Sequence, residues 1–222
     1  MRIWCISDTH NRHDELIVPE NVDMVVCTGD ISCFKDPELN FQECASFLIW
    51  YNNLPIPFKV LIAGNHDISL ERNSFGLNKM SSEFKNIIYL ENSEVIINGL
   101  VIWGSPYTPT FVIGWAFNKS RDTINRVWEN LPNNIDLLLT HGPPKGILDL
   151  NADNISCGDN SLLKAIKKRN IKYHIFGHIH NEGSSINSGV FKPTDINTTF
   201  INAATTNLLN YSLINHGVII EI

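Results

Sequence analysis

The stretch Ala63-Gly64-Asn65-His66-Asp67 follows directly on the apolar run Phe58-Lys59-Val60-Leu61-Ile62. An apolar, β-branched run that ends in Gly-Asn is typical of a buried strand followed by a sharp turn. The turn carries polar side chains past the end of the strand, to the edge where open α/β sheets bind their ligands. Asn65 offers a carbonyl oxygen for a hard cation, and His66 offers a titratable nitrogen beside it. Taken alone, the stretch equally fits an ordinary polar turn.

Four other apolar runs end in the same way, with aspartate or histidine in the turn that follows. They are residues 2–7 before Asp8-Thr9-His10, residues 23–28 before Gly29-Asp30, residues 135–139 before Thr140-His141-Gly142, and residues 172–176 before Gly177-His178-Ile179-His180. Short runs that are apolar on both faces predict central strands of a sheet. Five of the eight histidines fall in these turns when His66 is counted, which is why the turns are interpreted as one site.

The side chains in these turns predict a metal centre. The candidate ligands are Asp8, His10, Asp30, Asn65, His141, His178 and His180. This mixture of carboxylate, amide and imidazole suits Mn²⁺, Fe²⁺, Zn²⁺ or Mg²⁺, of which we expect Mn²⁺ first. Seven ligands are too many for one ion and suit two divalent ions that share a carboxylate. A pair of ions roughly 3.5–4 Å apart is the usual device for holding a phosphoryl group.

The rest of the pattern predicts a layered α/β protein. Helical spacing of apolar residues and a proline in the first turn predict a crossover helix over residues 37–53. The order strand, strand, helix, strand favours a largely parallel sheet. Asn98-Gly99 predicts a type I′ hairpin, and residues 87–90 are assigned with residues 94–97 and 100–103 to one antiparallel section. Further predictions are helices at 68–83 (weak periodicity), 120–130 and 159–169, a surface loop at 105–117, and strands at 198–203 and 218–222.

Composition limits the class of protein. A chain of 222 residues, 43% hydrophobic and 18% charged, predicts a single domain over residues 1–222. The net charge of −6 argues against duplex nucleic acid as a partner. No apolar run approaches the roughly 20 residues that cross a bilayer, and the first residues leave no room for a signal peptide. The five cysteines are an odd number without metal-type pairing. We therefore expect a cytoplasmic protein that does not bind membranes.

Five motifs in order carry a family resemblance. Asp-Xaa-His, Gly-Asp, Gly-Asn-His-Asp, Thr-His-Gly and Gly-His-Xaa-His, over residues 8–180, resemble the signature of the calcineurin-like metallophosphoesterases. Trp103-Gly104-Ser105-Pro106, Gly114-Trp115-Ala116-Phe117-Asn118, Leu139-Thr140-His141-Gly142-Pro143-Pro144 and Ile201-Asn202-Ala203 resemble its metallophosphoesterase-domain (MPPED-type) branch. The resemblance implies a layered α/β/α fold, a β-sandwich flanked by helices, and it covers nearly the whole chain.

The resemblance also implies roles for individual residues. Asp8, His10 and His180 would hold one ion, Asn65, His141 and His178 the other, and Asp30 would bridge them. A hydroxide held between the ions would attack phosphorus in line, with His66 as the general acid for the leaving group. Asp67 is the candidate to orient His66. Arg12, two residues after His10, either contacts the substrate phosphate or is a solvated loop arginine.

One departure from the family pattern bears on the substrate. The protein Ser/Thr phosphatases of this family continue Gly-Asp with a second aspartate and an arginine, where this chain has Cys33 and Phe34. A phosphoprotein substrate is therefore disfavoured, and the branch resemblance favours a small phosphodiester such as a cyclic nucleotide. A phosphomonoesterase and a catalytically inactive metal-binding scaffold are the alternatives. Aromatic residues of the 105–117 loop would stack a nucleobase or pack on the body, and the oligomeric state is left open.

Overall fold

Two β-sheets lie face to face at the centre of the protein, in a computed structural model that describes residues 1–72 and 83–222. The first sheet contains, in spatial order, β13 (Val218–Glu221), β1 (Arg2–Ile6), β2 (Met24–Cys27), β3 (Phe58–Leu61) and β4 (Ile87–Tyr89). Strands β1 to β4 are parallel, and β13 is antiparallel to β1. The predicted parallel core of the sheet is confirmed.

The second sheet has four parallel strands between two antiparallel edges. Its spatial order is β11 (Gly189–Phe191), β12 (Thr199–Asn202), β10 (Asn170–Phe176), β9 (Asn134–Thr140), β6 (Leu100–Ser105) and β5 (Ser93–Ile97). β11 and β5 are the antiparallel edge strands. The Asn98-Gly99 hairpin between β5 and β6 is confirmed, because both residues have positive φ, 49° and 84°, as a type I′ turn requires.

Alternation of side chains along the strands explains the layers. Ile3, Cys5 and Val26 of the first sheet pack against Leu137 and Ile175 of the second in a core between the sheets. The intervening residues of each strand face outward, where each sheet is covered by helices. Because both faces of each sheet are buried, the strands read as continuous apolar runs rather than as alternating ones. The predicted sandwich flanked by helices is therefore the observed fold.

Two of the four described helices begin at a residue whose side chain caps the first turn. The four helices are α1 (Pro37–Asn53), α2 (Ile68–Glu71), α3 (Asn125–Glu129) and α4 (Asn160–Lys167), with a 3₁₀ turn at His13–Glu15. The Asp36 carboxylate accepts hydrogen bonds from the backbone of Glu38 and Leu39, and Pro37 occupies the first turn of α1. The Asp159 carboxylate caps α4 through the Ser161 N–H. Helix α1 covers the first sheet, and α3 and α4 cover the second.

Several predicted elements differ from the observed ones. Strand β4 pairs in parallel with β3, not with β5, because Asn92, at φ 49°, turns the chain from the first sheet into the second. The predicted 105–117 loop contains strand β7 (Thr108–Pro109), which pairs in parallel with β8 (Asn118–Lys119). The helix predicted over residues 120–130 is shorter in the structure, where it covers only the five residues of α3. Strand β11 was not predicted. Of the helix predicted over residues 68–83, α2 is observed, and residues 73–82 lie outside the described residues.

Candidate metal centre

The turns after five strands, β1, β2, β3, β9 and β10, bring all seven predicted metal-binding side chains together. Six of them form two groups, each with ligand atoms within 4.8 Å of one another: Asp8, His10 and His180, and Asp30, His141 and His178. A third such group joins His10, Asp30 and His66. Asn65 places its Oδ1 3.0 Å from Nε2 of His141. The third group links the other two, so the side chains form one continuous cluster.

Unusual backbone conformations aim these side chains. Asp8, His10, Asp30 and His178 have positive φ angles of 52°, 41°, 52° and 67°. This left-handed region is uncommon outside glycine, although Asp and His tolerate it better than most residues. Each strand therefore turns abruptly instead of continuing. Such local strain persists where surrounding contacts enforce it, and it concentrates at functional sites.

Two glycines allow the turns to approach one another. A Cβ on Gly64 would collide with the side chains of Asp30 and His141. A Cβ on Gly177 would collide with the Asp8 carboxylate. Glycine is therefore required by space at the first position of the motifs Gly-Asn-His and Gly-His-Xaa-His.

Backbone carbonyls fix the orientation of the imidazoles. Nδ1 of four rings donates to a carbonyl oxygen: His10 to Ser32 at 3.0 Å, His66 to Cys33 at 2.9 Å, His141 to Thr28 at 2.8 Å and His180 to Thr206 at 2.9 Å. With the proton held on Nδ1, Nε2 of the candidate ligands His10, His141 and His180 keeps its lone pair for the centre of the cluster. Such outer hydrogen bonds are the usual means of orienting a histidine that binds a metal.

The atoms that face the centre are almost all acceptors, which fits bound cations. Nε2 of His10 lies 3.3 Å from Nε2 of His180, and Nε2 of His180 lies 3.2 Å from Oδ1 of Asp8. Nε2 of His141 lies 3.2 Å from Oδ2 of Asp30. Acceptor atoms at these distances repel one another unless a proton or a cation lies between them. The donor set and its convergence therefore fit divalent metal ions.

Without metal, protons shared between some of these acceptor atoms reduce their repulsion. Burial by itself lowers the pKa of His141, but the adjacent Asp30 carboxylate overcomes this effect and raises it to about 9. Burial raises the pKa of Asp8, but His180 lowers it to about 2. Burial lowers the pKa of His10 and of His178 to about 3. Proton sharing is thus concentrated at His141 and at His180, whose pKa is also raised by Asp8 against the effect of burial.

Mn²⁺ binding is expected to release protons. A ligand imidazole must be neutral, and His141, with a pKa of about 9, carries a proton at lower pH in the metal-free protein. The apparent affinity for Mn²⁺ should therefore rise by roughly tenfold per pH unit for each proton released between pH 6.5 and 8.5. Isothermal titration calorimetry in two buffers of different ionisation enthalpy measures the proton count. A pH-independent affinity with no proton release would contradict this assignment.

The structure corrects the role predicted for Asp67. Its Oδ1 accepts hydrogen bonds from the backbone of Ile31 and Ser32 at 3.0 and 3.1 Å, and its Oδ2 accepts from the backbone of Gly64 at 2.7 Å. The His66 ring instead bonds through Nδ1 to the Cys33 carbonyl. Adjacent residues point apart here, so Asp67 does not orient His66 directly. It ties the turn after β2 to the turn after β3.

Loss of the Asp67 carboxylate is expected to destabilise the protein. In Asp67→Ala, three buried backbone N–H groups lose their acceptor, whereas the Ser32 hydroxyl keeps the His66 carbonyl. Each unsatisfied buried donor costs about 1–3 kcal/mol, so we expect the free energy of unfolding to fall by about 3–5 kcal/mol. Urea unfolding of the metal-free protein measures it, with exposed Asp14→Ala as the control. A change below about 1 kcal/mol would contradict the structural role.

A cleft of about 480 Å³ opens beside the cluster. Its lining includes Asp30, Asn65, His66, His178 and His180 at one end, and Pro109, Phe111, Trp115, Arg121, Leu208 and Tyr211 along its walls. Arg12, predicted to contact substrate, is not among the lining residues. Its guanidinium lies 2.7 Å from Glu15, and both side chains are more than a third exposed. This position agrees with the solvated-loop alternative, and a contact of Arg12 with substrate stays a prediction.

The residues that sequence reasoning missed come from distant loops. Arg121 reaches the cleft with its guanidinium on the carbonyls of Cys157 and Gly158, at 3.1 and 3.3 Å. Tyr211 reaches it from the segment after β12. No local signal marked either residue. Of the four aromatic residues considered in the 105–117 loop, Phe111 and Trp115 line the cleft, whereas Tyr107 and Phe117 pack against each other.

In residues 1–72 and 83–222, no helix is both long enough and apolar enough to pass through a bilayer.

Comparison with solved structures finds a likeness of fold to a protein of Thermus thermophilus. The TM-score is 0.63 at 11% sequence identity, and the match covers 91% of this chain and 88% of that one.

Sequence comparisons identify the family. Residues 1–182 match the family model of the calcineurin-like phosphoesterases. Metallophosphoesterase domain-containing protein 1 of Homo sapiens is 32% identical over 246 residues, covering 100% of this chain and 71% of the human protein. A 3′,5′-cyclic-nucleotide phosphodiesterase of Nostoc sp. is 29% identical over 171 residues, covering 76% of this chain and 59% of that protein. This chain therefore belongs to the calcineurin-like phosphoesterase family.

Proposed function

We propose that this protein is a metal-dependent phosphodiesterase that acts on small phosphodiesters such as cyclic nucleotides. The observation that carries the proposal is the pair of ligand groups linked through Asp30. This carboxylate lies 3.2 Å from Nε2 of His141 in one group and 4.0 Å from Nε2 of His10 in the other. A carboxylate between two sets of imidazoles suits a centre with two ions, which is the arrangement that phosphoryl transfer exploits.

In this proposal, Asp8, His10 and His180 would hold one ion and Asn65, His141 and His178 the other, with Asp30 as a ligand that both could share. The bound ions supply an activated water and neutralise charge on the phosphoryl oxygens. Mn²⁺ is the preferred occupant, with Fe²⁺, Zn²⁺ or Mg²⁺ as alternatives that this donor set also accepts. The chain's own contribution is to hold the ligands in place through the carbonyl contacts of the histidines.

His66 is proposed as the general acid. Its backbone N–H donates to Oδ1 of Asp30 at 2.7 Å, and its Nδ1 is held by the Cys33 carbonyl. These two contacts keep Nε2 directed into the cleft beside the cluster. The ring also lies 4.1 Å from the Trp115 ring, which limits its rotation. A leaving alkoxide would take its proton from Nε2 of the doubly protonated ring, whose Nδ1–H stays on the Cys33 carbonyl.

The charge of the cleft favours a diester over a monoester. Of the described residues that line it, Arg121 is the one with a permanent positive charge, and two of its N–H groups already bond to carbonyls. A phosphomonoester carries more negative charge than a diester and needs more compensation than this wall offers. The apolar faces of Phe111, Trp115 and Leu208 suit the second ester group that only a diester has.

The wall of the cleft is tied directly to the ligand turns, which supports a role in substrate binding. The Ala116 N–H donates to the Asn65 carbonyl at 3.0 Å, next to Trp115. The Lys35 ammonium lies 3.7 Å from the centre of the Trp115 ring, on which it is held by a cation–π contact. An aromatic wall of this kind suits the planar base of a nucleotide. The Nostoc relative named a cyclic-nucleotide phosphodiesterase agrees with this choice.

The five cysteines are all free thiols, which suits a reducing compartment, and we infer a cytoplasmic location.

The experiment compares two substrates. Chelated protein is reloaded separately with Mn²⁺, Zn²⁺ and Mg²⁺ and is assayed with bis(p-nitrophenyl) phosphate and with p-nitrophenyl phosphate. We expect metal-dependent turnover with a higher kcat/KM for the diester, highest with Mn²⁺. A higher kcat/KM for the monoester would make the protein a phosphomonoesterase. Two bound ions with no turnover of either substrate, or of cyclic AMP, would favour the inactive scaffold.

A further inference from the structure

Tyr211 lies against the histidine cluster without belonging to it. Its ring centre is 4.1 Å from that of His10, and 6.1 Å from those of His66 and of His180. The side chain is half-buried and lines the cleft. Tyr211 therefore covers the part of the cluster where the His10 group meets the proposed acid.

The backbone of Tyr211 is strained, and its neighbours enforce the strain. Its φ is 51°, in the left-handed region that a bulky aromatic residue rarely adopts. The segment around it is held by three hydrogen bonds: Asn207 N–H to the Ser212 carbonyl at 3.0 Å, Asn207 Nδ2 to Ser212 Oγ at 2.6 Å, and Ser212 N–H to Asn210 Oδ1 at 3.1 Å. Glycine or asparagine would fit this conformation more easily. The presence of tyrosine points to a use for its side chain.

The same segment supports the metal ligands. The Thr206 carbonyl accepts from Nδ1 of His180 at 2.9 Å, and the Thr206 hydroxyl donates to the Asp8 carbonyl at 2.8 Å. Tyr211 therefore comes from a segment whose position is fixed relative to the cluster. A substrate phosphate held by the cluster would meet Tyr211 in a reproducible geometry.

The hydroxyl of Tyr211 has no hydrogen-bond partner among residues 1–72 and 83–222. The side chain lines the same cleft as Asp30, His66 and His180. At neutral pH the Tyr211 phenol can donate a hydrogen bond. An anionic ligand bound at the candidate metal centre would present acceptor oxygens to such a donor.

We propose that the Tyr211 hydroxyl donates a hydrogen bond to a phosphoryl oxygen of the bound phosphoester. Tyr211 is then a substrate-binding residue that complements the ions on the open side of the cluster. The inference rests on the proposed function, because it takes the ligand to be a phosphate ester. Its anionic core, a tetrahedral phosphate, is also carried by orthophosphate, so binding is measurable without turnover.

The test is the variant Tyr211→Phe, which removes only the hydroxyl and keeps the ring against His10. Its control is Tyr107→Phe, because the Tyr107 hydroxyl contacts Glu91, and Tyr107 does not line the cleft. Orthophosphate binding to Mn²⁺-loaded protein is measured by calorimetry, and kcat and KM are measured with bis(p-nitrophenyl) phosphate. We expect Tyr211→Phe to weaken phosphate binding by about 10–100-fold, as expected for a hydrogen bond to a charged group. Manganese content and Tm should be unchanged.

The outcomes separate this inference from the proposed function. If the wild type binds phosphate and Tyr211→Phe binds it equally well, the inference is wrong even when diester turnover is observed. If Tyr211→Phe weakens phosphate binding but the wild type turns over no phosphoester, the binding role holds and the proposed activity fails. No phosphate binding by Mn²⁺-loaded wild type would overturn the inference as well.

Discussion

Asp30→Asn is expected to abolish most phosphoester turnover, with kcat for bis(p-nitrophenyl) phosphate lower by about 10³-fold or more. The change removes a carboxylate that lies near both ligand groups, 3.2 Å from His141 and 4.0 Å from His10. An amide is neutral and cannot balance two dications at once. Stabilisation of transition-state charge by a single preorganised donor is already worth about 10²–10³ in rate, and an ion contributes more.

The variant should also change the metal content. We expect about one ion fewer per chain after loading with Mn²⁺, measured by elemental analysis, because the shared carboxylate contributes to both sites. The amide oxygen can still accept from the His66 N–H, which Oδ1 of Asp30 accepts at 2.7 Å, so the fold should survive. Asp14→Asn, on the exposed 3₁₀ turn, is the matched control. Full metal content with unchanged kcat in Asp30→Asn would exclude Asp30 as the bridging residue.

The site could be predicted from the sequence as far as its geometry is local. The position of a polar residue just past an apolar strand is encoded within a few residues, and parallel strands end at a common edge. Asp8, Asp30 and His141 could therefore be placed together without knowing any contact between them. Their roles as metal ligands are predictions. The strands before the five turns, β1, β2, β3, β9 and β10, and helix α1 were predicted by the same local reasoning.

The cleft could not be predicted, since its walls depend on how remote loops pack. Arg121 and Tyr211 enter from segments in which no motif marks a binding residue, whereas Arg12, two residues after His10, turns toward Glu15. The pairing of strand β4 was predicted wrongly for a related reason. Nothing local distinguishes a strand that pairs within the first sheet from one that starts the second, and only the turn at Asn92 decides it.

His66→Ala is expected to lower kcat by ~10²–10⁴-fold for substrates with poor leaving groups, the usual range for loss of a general acid. The reason is positional: two hydrogen bonds, to Asp30 and to Cys33, hold the ring so that Nε2 faces the cleft. A p-nitrophenolate departs with little assistance, whereas a less acidic phenol must be protonated as it leaves. The measurement is therefore kcat across a series of aryl phosphodiesters of decreasing phenol acidity. The dependence on leaving-group acidity should be steeper in His66→Ala than in the wild type.

The metal content distinguishes an acid from a ligand, which matters because His66 also lies within 4.8 Å of ligand atoms of His10 and Asp30. An acid can be removed while both ions stay, so His66→Ala should keep the wild-type manganese content and weaken orthophosphate binding little. His216→Ala is the matched control, since His216 is exposed and its Nδ1 accepts from the backbone of Ile17 away from the cleft. Loss of an ion together with a uniform fall in kcat across the series would instead make His66 a metal ligand. If both ions were retained and kcat depended equally on leaving-group acidity in His66→Ala and in the wild type, the proton would come from another group.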